Sequence, residues 1–266
     1  MKPVSMYSPY GWKARIGLIV PSKNTNNETE FWHLAPPGVT VHTSRVLSVG
    51  QSSRQSFMDM AVALDRAADE LATAEVDIVA YGCTTGSIVC PMPDLIARMQ
   101  QRACAPALTT AAAVVAAMRA LNMRRIAVAT PYVAFLNESE TAFFREYGFD
   151  VLCLKTLDLG HTEEERRAIG RVPAEAVYRL ARSVDRDDAD GVLISCTDLA
   201  TVGILADLER ELGKPVVSSN QACFWACLRM LRLPFVPPGR GSLFERCLAP
   251  IDASAWDLAW PRSADR

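Results

Sequence analysis

Two cysteines carry the chemistry that this sequence suggests. Cys83 stands in Tyr81-Gly82-Cys83-Thr84-Thr85-Gly86-Ser87, after the apolar run Val76-Asp77-Ile78-Val79-Ala80, and Cys196 stands in Ser195-Cys196-Thr197, after Gly191-Val192-Leu193-Ile194. Each run reads as a buried strand of a parallel sheet, so each thiol falls at a strand's carboxyl end, where open α/β sheets bind ligands. Backbone N–H groups and a helix start at such a place favour a thiolate. Two thiols on opposite faces of a small molecule suit two kinds of reaction. A thiolate can take an acidic proton from one face of a carbon while a thiol returns one to the other, which racemises or epimerises the centre. Alternatively, a thiolate adds to an electron-poor double bond while the second group handles the proton, and rotation about the new single bond interconverts cis and trans isomers. Both need donors for an enolate-like oxyanion. The hydroxyls and N–H groups of Thr84, Thr85, Ser87 and Thr197, with Tyr132 and Asn24 from neighbouring loops, are the candidates.

Each of these residues also has an ordinary structural use. A free cysteine in an apolar protein is usually a small buried hydrophobe, which suits Cys90, Cys104, Cys153, Cys223, Cys227 and Cys247. Thr84 and Thr197 would serve as turn caps, Asn24 as an Asx-turn residue, and Tyr132 as a core aromatic. What sets Cys83 and Cys196 apart is their matched placement.

That match extends along the chain. Arg15-Ile16 and Pro21 recur as Arg125-Ile126 and Pro131, an offset of 110; Asp77 and Cys83 recur as Asp190 and Cys196, an offset of 113. Pro106-x-x-Thr-Thr recurs as Pro215-x-x-Ser-Ser, an offset of 109. Three landmarks at nearly one spacing mark two homologous halves. Strand-like runs begin at Arg15, Val39, Val76, Pro106, Arg125, Asp150, Gly191 and Pro215, and helical patterns alternate with them, among them 56–73, 93–101, 111–121, 138–147, 174–184 and 202–212. The expected fold is therefore α/β, with two pseudo-symmetric lobes, each a parallel sheet flanked by helices, and the active site in the cleft between them. The N-terminal lobe is expected over 13–108, completed by a C-terminal helix at about 221–250, and the second lobe over 109–220, with 1–12 and 251–266 as peripheral tails.

Composition narrows the partners. The 266 residues carry a formal net charge of −2 with lysines and arginines scattered. There is no basic stripe to follow a phosphate backbone, so nucleic acid is not an expected partner. The N-terminus lacks the apolar core of a signal peptide, and Ala111–Ala120 is too short to span a bilayer, so a cytoplasmic protein without membrane contact is expected. The eight cysteines show no Cys-x-x-Cys pairing and the three histidines lie far apart, so neither a metal site nor disulfides are expected. Phe31, Trp32 and Trp225 suit a homo-oligomer contact and a core equally. A non-enzymatic two-lobed binding protein is the reading from another class; the missing export signal and the paired cysteines count against it.

Ile19-Val20-Pro21-Ser22-Lys23-Asn24-Thr25, with Glu28 and Glu30, resembles the amino-terminal signature of maleate cis–trans isomerases in the aspartate/glutamate racemase superfamily. The Cys83 loop, Pro131-Tyr132, Ser195-Cys196-Thr197 and Pro215 to Ala222 fit the same pattern, so the likeness spans roughly 13–245. The stretch 190–225 is also similar to arylmalonate decarboxylases, which have glycine where Cys83 stands and keep only the cysteine matching Cys196. The resemblance implies a cofactor-free enzyme acting on a small unsaturated dicarboxylate. Cys83 would be the nucleophile that forms a succinyl thioether and Cys196 its acid/base partner. Asn24, Thr84, Thr85, Tyr132 and Thr197 would hold the carboxylates, with Asn220 a weaker candidate. A two-cysteine racemase of an amino-acid or hydantoin-type substrate and an arylmalonate-type decarboxylase are the alternatives. Three positions depart from the isomerase pattern. Glu165 or a neighbour falls where the isomerases place a substrate-binding asparagine, Lys23 replaces a small residue, and Asp198 stands where an amide is usual and suits a helix N-cap better than a dicarboxylate pocket. The run Glu163-Glu164-Glu165-Arg166-Arg167 reads as a solvated face.

Overall fold

Apolar residues run without polar alternation through Ile16–Val20, Ile78–Ala80, Ile126–Ala129 and Val192–Ile194, as in strands covered on both faces. In the computed structural model, which describes residues 8–252, these are the inner strands of two four-stranded parallel sheets. The first half runs β1 (Ala14–Pro21), α1 (Asn27–Leu34), β2 (Val39–Val46), α2 (Arg54–Val62), α3 (Leu64–Thr73), β3 (Ile78–Tyr81), α4 (Thr84–Val89), α5 (Met92–Ala103), β4 (Ala107–Thr109) and α6 (Thr110–Ala120). The second runs β5 (Arg125–Tyr132), α7 (Ala134–Glu146), β6 (Asp150–Leu159), α8 (Glu163–Ala168), α9 (Ala174–Val184), β7 (Gly191–Ile194), α10 (Leu205–Leu212), β8 (Val216–Ser218), α11 (Ser219–Met230) and α12 (Ser242–Arg246).

The sheets have the same order, β2-β1-β3-β4 and β6-β5-β7-β8. In each, the chain leaves the first strand to one side and returns on the other. The switch point, where such sheets bind ligands, therefore lies between β1 and β3 in one half and between β5 and β7 in the other. The repeated landmarks are the clamps that build these sheets. The Asp77 carboxylate accepts the Arg15 N–H at 2.6 Å and Asp190 accepts the Arg125 N–H at 2.7 Å, tying the start of the third strand to the start of the first. Thr109 caps α6 and Ser218 caps α11 through the N–H groups of Ala112 and Gln221, each at 3.3 Å. Helix α11 packs on α6, α1 and β3, with Phe224 edge-on to Phe31 at 5.1 Å between ring centres.

Several expectations are corrected. The single helix expected over 56–73 is two, α2 and α3, broken at Ala63; Phe57, Met60, Ala61 and Leu64 face the core, while Val62 is 75% exposed and Met58 40%. Tracking one apolar stripe through Met58 and Val62 extended the 3.6-residue period across a turn where the buried face changes. Helix α7 starts at Ala134 rather than 138, β6 runs on to Leu159, and α10 starts at Leu205 rather than 202. Phe31 and Trp225 are core residues, whereas Trp32 is 48% exposed. Of the expected tails, 1–7 and 253–266 lie outside the described residues. No helix among the described residues is long and apolar enough to cross a membrane.

Candidate active site

The two switch points open onto one cavity of about 40 Å³, and Asn24, Cys83, Thr84, Thr85, Tyr132, Cys196 and Thr197 all line it. Cys83 ends the β3 loop and is the N-cap of the short helix α4, its sulfur accepting the Gly86 N–H at 3.3 Å. The loop is packed without slack. A Cβ on Gly86 would stand 2.4 Å from the Tyr81 hydroxyl and 3.0 Å from the Cys83 sulfur, and one on Gly82 would stand 2.0 Å from Asn27 Oδ1. The Tyr81 hydroxyl is fully buried, has no oxygen or nitrogen partner, and lies against the same sulfur. Burial, then the neighbouring Cys83 sulfur, holds this phenol far above its ordinary range.

Cys196 follows β7 and accepts the Asp198 N–H at 3.3 Å. Burial, reinforced by the Asp198 carboxylate, pushes its thiol up to about 12 despite hydrogen bonds from that N–H and the Tyr132 hydroxyl. At neutral pH Cys196 is therefore a thiol with a proton to give. Tyr132 is itself buried, its phenol raised first by burial and then by Cys196.

Hydrogen bonds cross between the halves around the cavity. Thr197 Oγ1 donates to the Gly82 carbonyl at 3.0 Å and accepts from Asn24 Nδ2 at 3.1 Å. The same Asn24 caps the turn into α1, its Oδ1 accepting the N–H groups of Asn26 and Asn27, each at 3.0 Å. Thr84 Oγ1 donates to Ser219 Oγ at 2.9 Å. Asn220 does not reach the cavity. It is fully buried between Asn27 and Glu30, donating to the Glu30 carboxylate at 2.6 Å. Ser87 is also turned away, bonded to the Cys83 carbonyl.

The three departures from the isomerase pattern resolve differently from expectation. Glu165 does not line the cavity. Its N–H is capped by Thr162 at 3.1 Å and its carboxylate accepts the N–H groups of Gly160 and His161 at 3.3 and 2.9 Å. Asp198 caps no helix; it lines the cavity, paired with Lys23 at 3.4 Å and accepting the Thr25 N–H at 3.3 Å. The charged run is not wholly solvated, because Arg166 is only 3% exposed and lines the cavity with Phe57, Met60, Leu136 and Ile169. Sequence reasoning missed Arg166. Among the described residues no group of His, Cys, Asp and Glu is arranged to hold a metal ion.

Behind the Cys196 wall sits Glu140, fully buried, accepting the Ser195 hydroxyl on one oxygen and nothing on the other. Its counterpart in the first half is Glu30, the same 110 residues away, whose carboxylate receives four donors: the Thr201 and Val202 N–H groups, the Thr201 hydroxyl and the Asn220 amide. Burial pushes Glu140 from its ordinary 4.5 up to about 8. A carboxyl raised on folding binds more protons folded than unfolded between those two values. Its stabilisation is thus complete at acid pH and is lost as pH rises through about 8. Glu140→Gln, which keeps an acceptor for Ser195 and cannot ionise, is expected to lose less thermal stability than the wild type between about pH 6 and about pH 9. Each kcal/mol is worth about 2–4 °C in a chain of this size, so several degrees should separate the two curves in calorimetry. Parallel curves would refute the assignment.

The family model described as arylmalonate decarboxylase matches residues 16–244. The chain is 31% identical over 247 residues to the maleate isomerase of Pseudomonas putida, covering 87% of this chain and 97% of that one. A crystal structure of a cysteine-to-alanine maleate isomerase variant from Pseudomonas putida with maleate superposes with a TM-score of 0.80 at 28% identity, over 88% of this chain and 98% of that one. A cysteine-to-serine variant of the Nocardia farcinica maleate cis–trans isomerase, with a covalently bound succinylcysteine intermediate, also gives 0.80 at 27% identity, over 87% and 98%.

Proposed function

Since this chain belongs to the arylmalonate decarboxylase family, alongside maleate isomerases, we propose that it is an enzyme that isomerises a small unsaturated dicarboxylate, maleate to fumarate in type, without a cofactor. The observation that carries this is the pair of cysteines at equivalent switch points lining one cavity among hydroxyl and amide donors. Cys83, whose sulfur accepts the Gly86 N–H, adds as its thiolate to one alkene carbon. The π pair moves to the other carbon and its carboxylate, and the Cys196 thiol gives that carbon its proton, leaving a thioether with a freely rotating C–C bond. After rotation Cys196 takes the proton back, the C–S electrons return to Cys83 and the double bond re-forms in the trans geometry. Burial makes Cys196 the group that starts with the proton, which divides the labour between two otherwise symmetric thiols. Asn24 Nδ2, the Thr85 hydroxyl and the backbone N–H groups of Thr84 and Thr197, whose own hydroxyls donate to Ser219 and Gly82, supply neutral donors to a carboxylate, and Tyr132 holds the Cys196 sulfur. The lobe limits 13–108 with about 221–250, and 109–220, belong to the same proposal; the packing of α11 on α1, α6 and β3 supports them.

The reading is tested by proton NMR in deuterated water. Maleate should disappear as fumarate appears. Deuterium entering a retained sp³ centre of an amino acid would point instead to a racemase, and carbon dioxide released from an arylmalonate to a decarboxylase.

A further inference from the structure

Arg166 is a buried cation with no carboxylate partner among the described residues. Its Nη1 donates to the carbonyls of Val49, Gly50 and Gln51, each at 3.2 Å, and to Ser56 Oγ at 3.3 Å, while its guanidinium carbon stands 5.1 Å over the Phe57 ring. Among the described residues it forms no ion pair, and no protein acceptor meets its Nε or Nη2. Glu163, one turn before it, is paired with Arg167. The other cation of the cavity, Lys23, is neutralised by Asp198. Burying a guanidinium is costly unless an anion and good hydrogen bonds compensate. Here carbonyls satisfy one nitrogen and fix the side chain, and the residue lines the cavity that contains Cys83.

We propose that Arg166 is the anchor for a substrate carboxylate, and that it restricts this site to acids carrying a second anionic group beyond the one met by Asn24, Thr84 and Thr197. The planar fork suits bidentate carboxylate recognition, which a point charge or an amide does not reproduce. The substrate's identity rests on the isomerase reading; the anion binding does not.

The test therefore measures binding without turnover, using succinate, which has no double bond to attack. By titration calorimetry, Arg166→Gln should bind succinate about 30-fold more weakly or worse, the loss expected when a buried charge partner is truncated. Arg166→Lys should fall between, and propionate, with a single carboxylate, should bind the wild type more weakly than succinate does. A folded Arg166→Gln protein with wild-type affinity for succinate overturns the proposal, as does a wild type that binds no succinate. Should Arg166→Gln fail to fold, the wild type alone decides: succinamate, with one carboxylate replaced by an uncharged amide, must bind at least about tenfold more weakly than succinate, and equal affinities reject the anchor. A protein that makes no fumarate yet shows Arg166-dependent succinate binding loses the isomerase reading and keeps the anchor.

Discussion

Cys83→Ala is expected to slow maleate turnover by about 10⁴-fold or more, the size of loss that follows removal of a covalent nucleophile acting within a catalytic unit. Cys83→Ser should be nearly as impaired, because a hydroxyl in the same place is not an anion at neutral pH and does not add to an alkene. Both variants should keep succinate affinity close to wild type, since the proposed carboxylate donors are other residues. That combination separates a lost nucleophile from a collapsed pocket. A Cys83→Ala enzyme with even a tenth of wild-type turnover would remove the thioether from the mechanism.

Cys196→Ala should cost about 10²–10⁴-fold, the range for loss of a positioned acid/base group. It differs from Cys83→Ala in kind as well as size. Addition no longer has its proton donor and elimination no longer has its base, so thioether formed with solvent as acid should persist. Digestion and mass spectrometry should then find a peptide containing Cys83 heavier by one maleic acid, and the same peptide unmodified in the wild type after turnover. Because the Cys196 thiol lies at about 12, its ionisation should impose no alkaline fall on the wild-type rate through the neutral range. An alkaline limb near neutrality that vanishes in Cys196→Ala would contradict the assigned protonation state.

Much of this was legible in the sequence for identifiable physical reasons. The inner strands announce themselves because both faces are covered, so Ile16–Val20 and Val192–Ile194 show no polar alternation. The repeat was visible through residues that do no chemistry: Asp77 and Asp190 clamp strand starts, and Thr109 and Ser218 cap helices. Such clamps depend on backbone geometry that both halves share, which is why their spacing was kept. Arg166 was illegible because its neighbour Arg167 has the same side chain and points elsewhere; only the fold distinguishes them. Glu165 did carry a readable signal. Thr162 three residues before it makes a capping motif, in which the carboxylate turns back to N–H groups at the helix start rather than towards a pocket. The Lys23–Asp198 pair joins residues 175 apart and has no local signature.

The two glycines around Cys83 bear on how this enzyme can vary. In a saturation library selected for activity, Gly82 and Gly86 should score as intolerant as the cysteine between them, although neither offers a reactive atom. Any side chain at Gly86 must displace the Tyr81 hydroxyl, and any at Gly82 must displace Asn27. The fitness landscape around Cys83 would then be steep on both sides for reasons of volume alone. A designer wishing to retune this site has more freedom at Phe57, Met60 and Leu136, on the apolar wall, than in the loop that carries the sulfur.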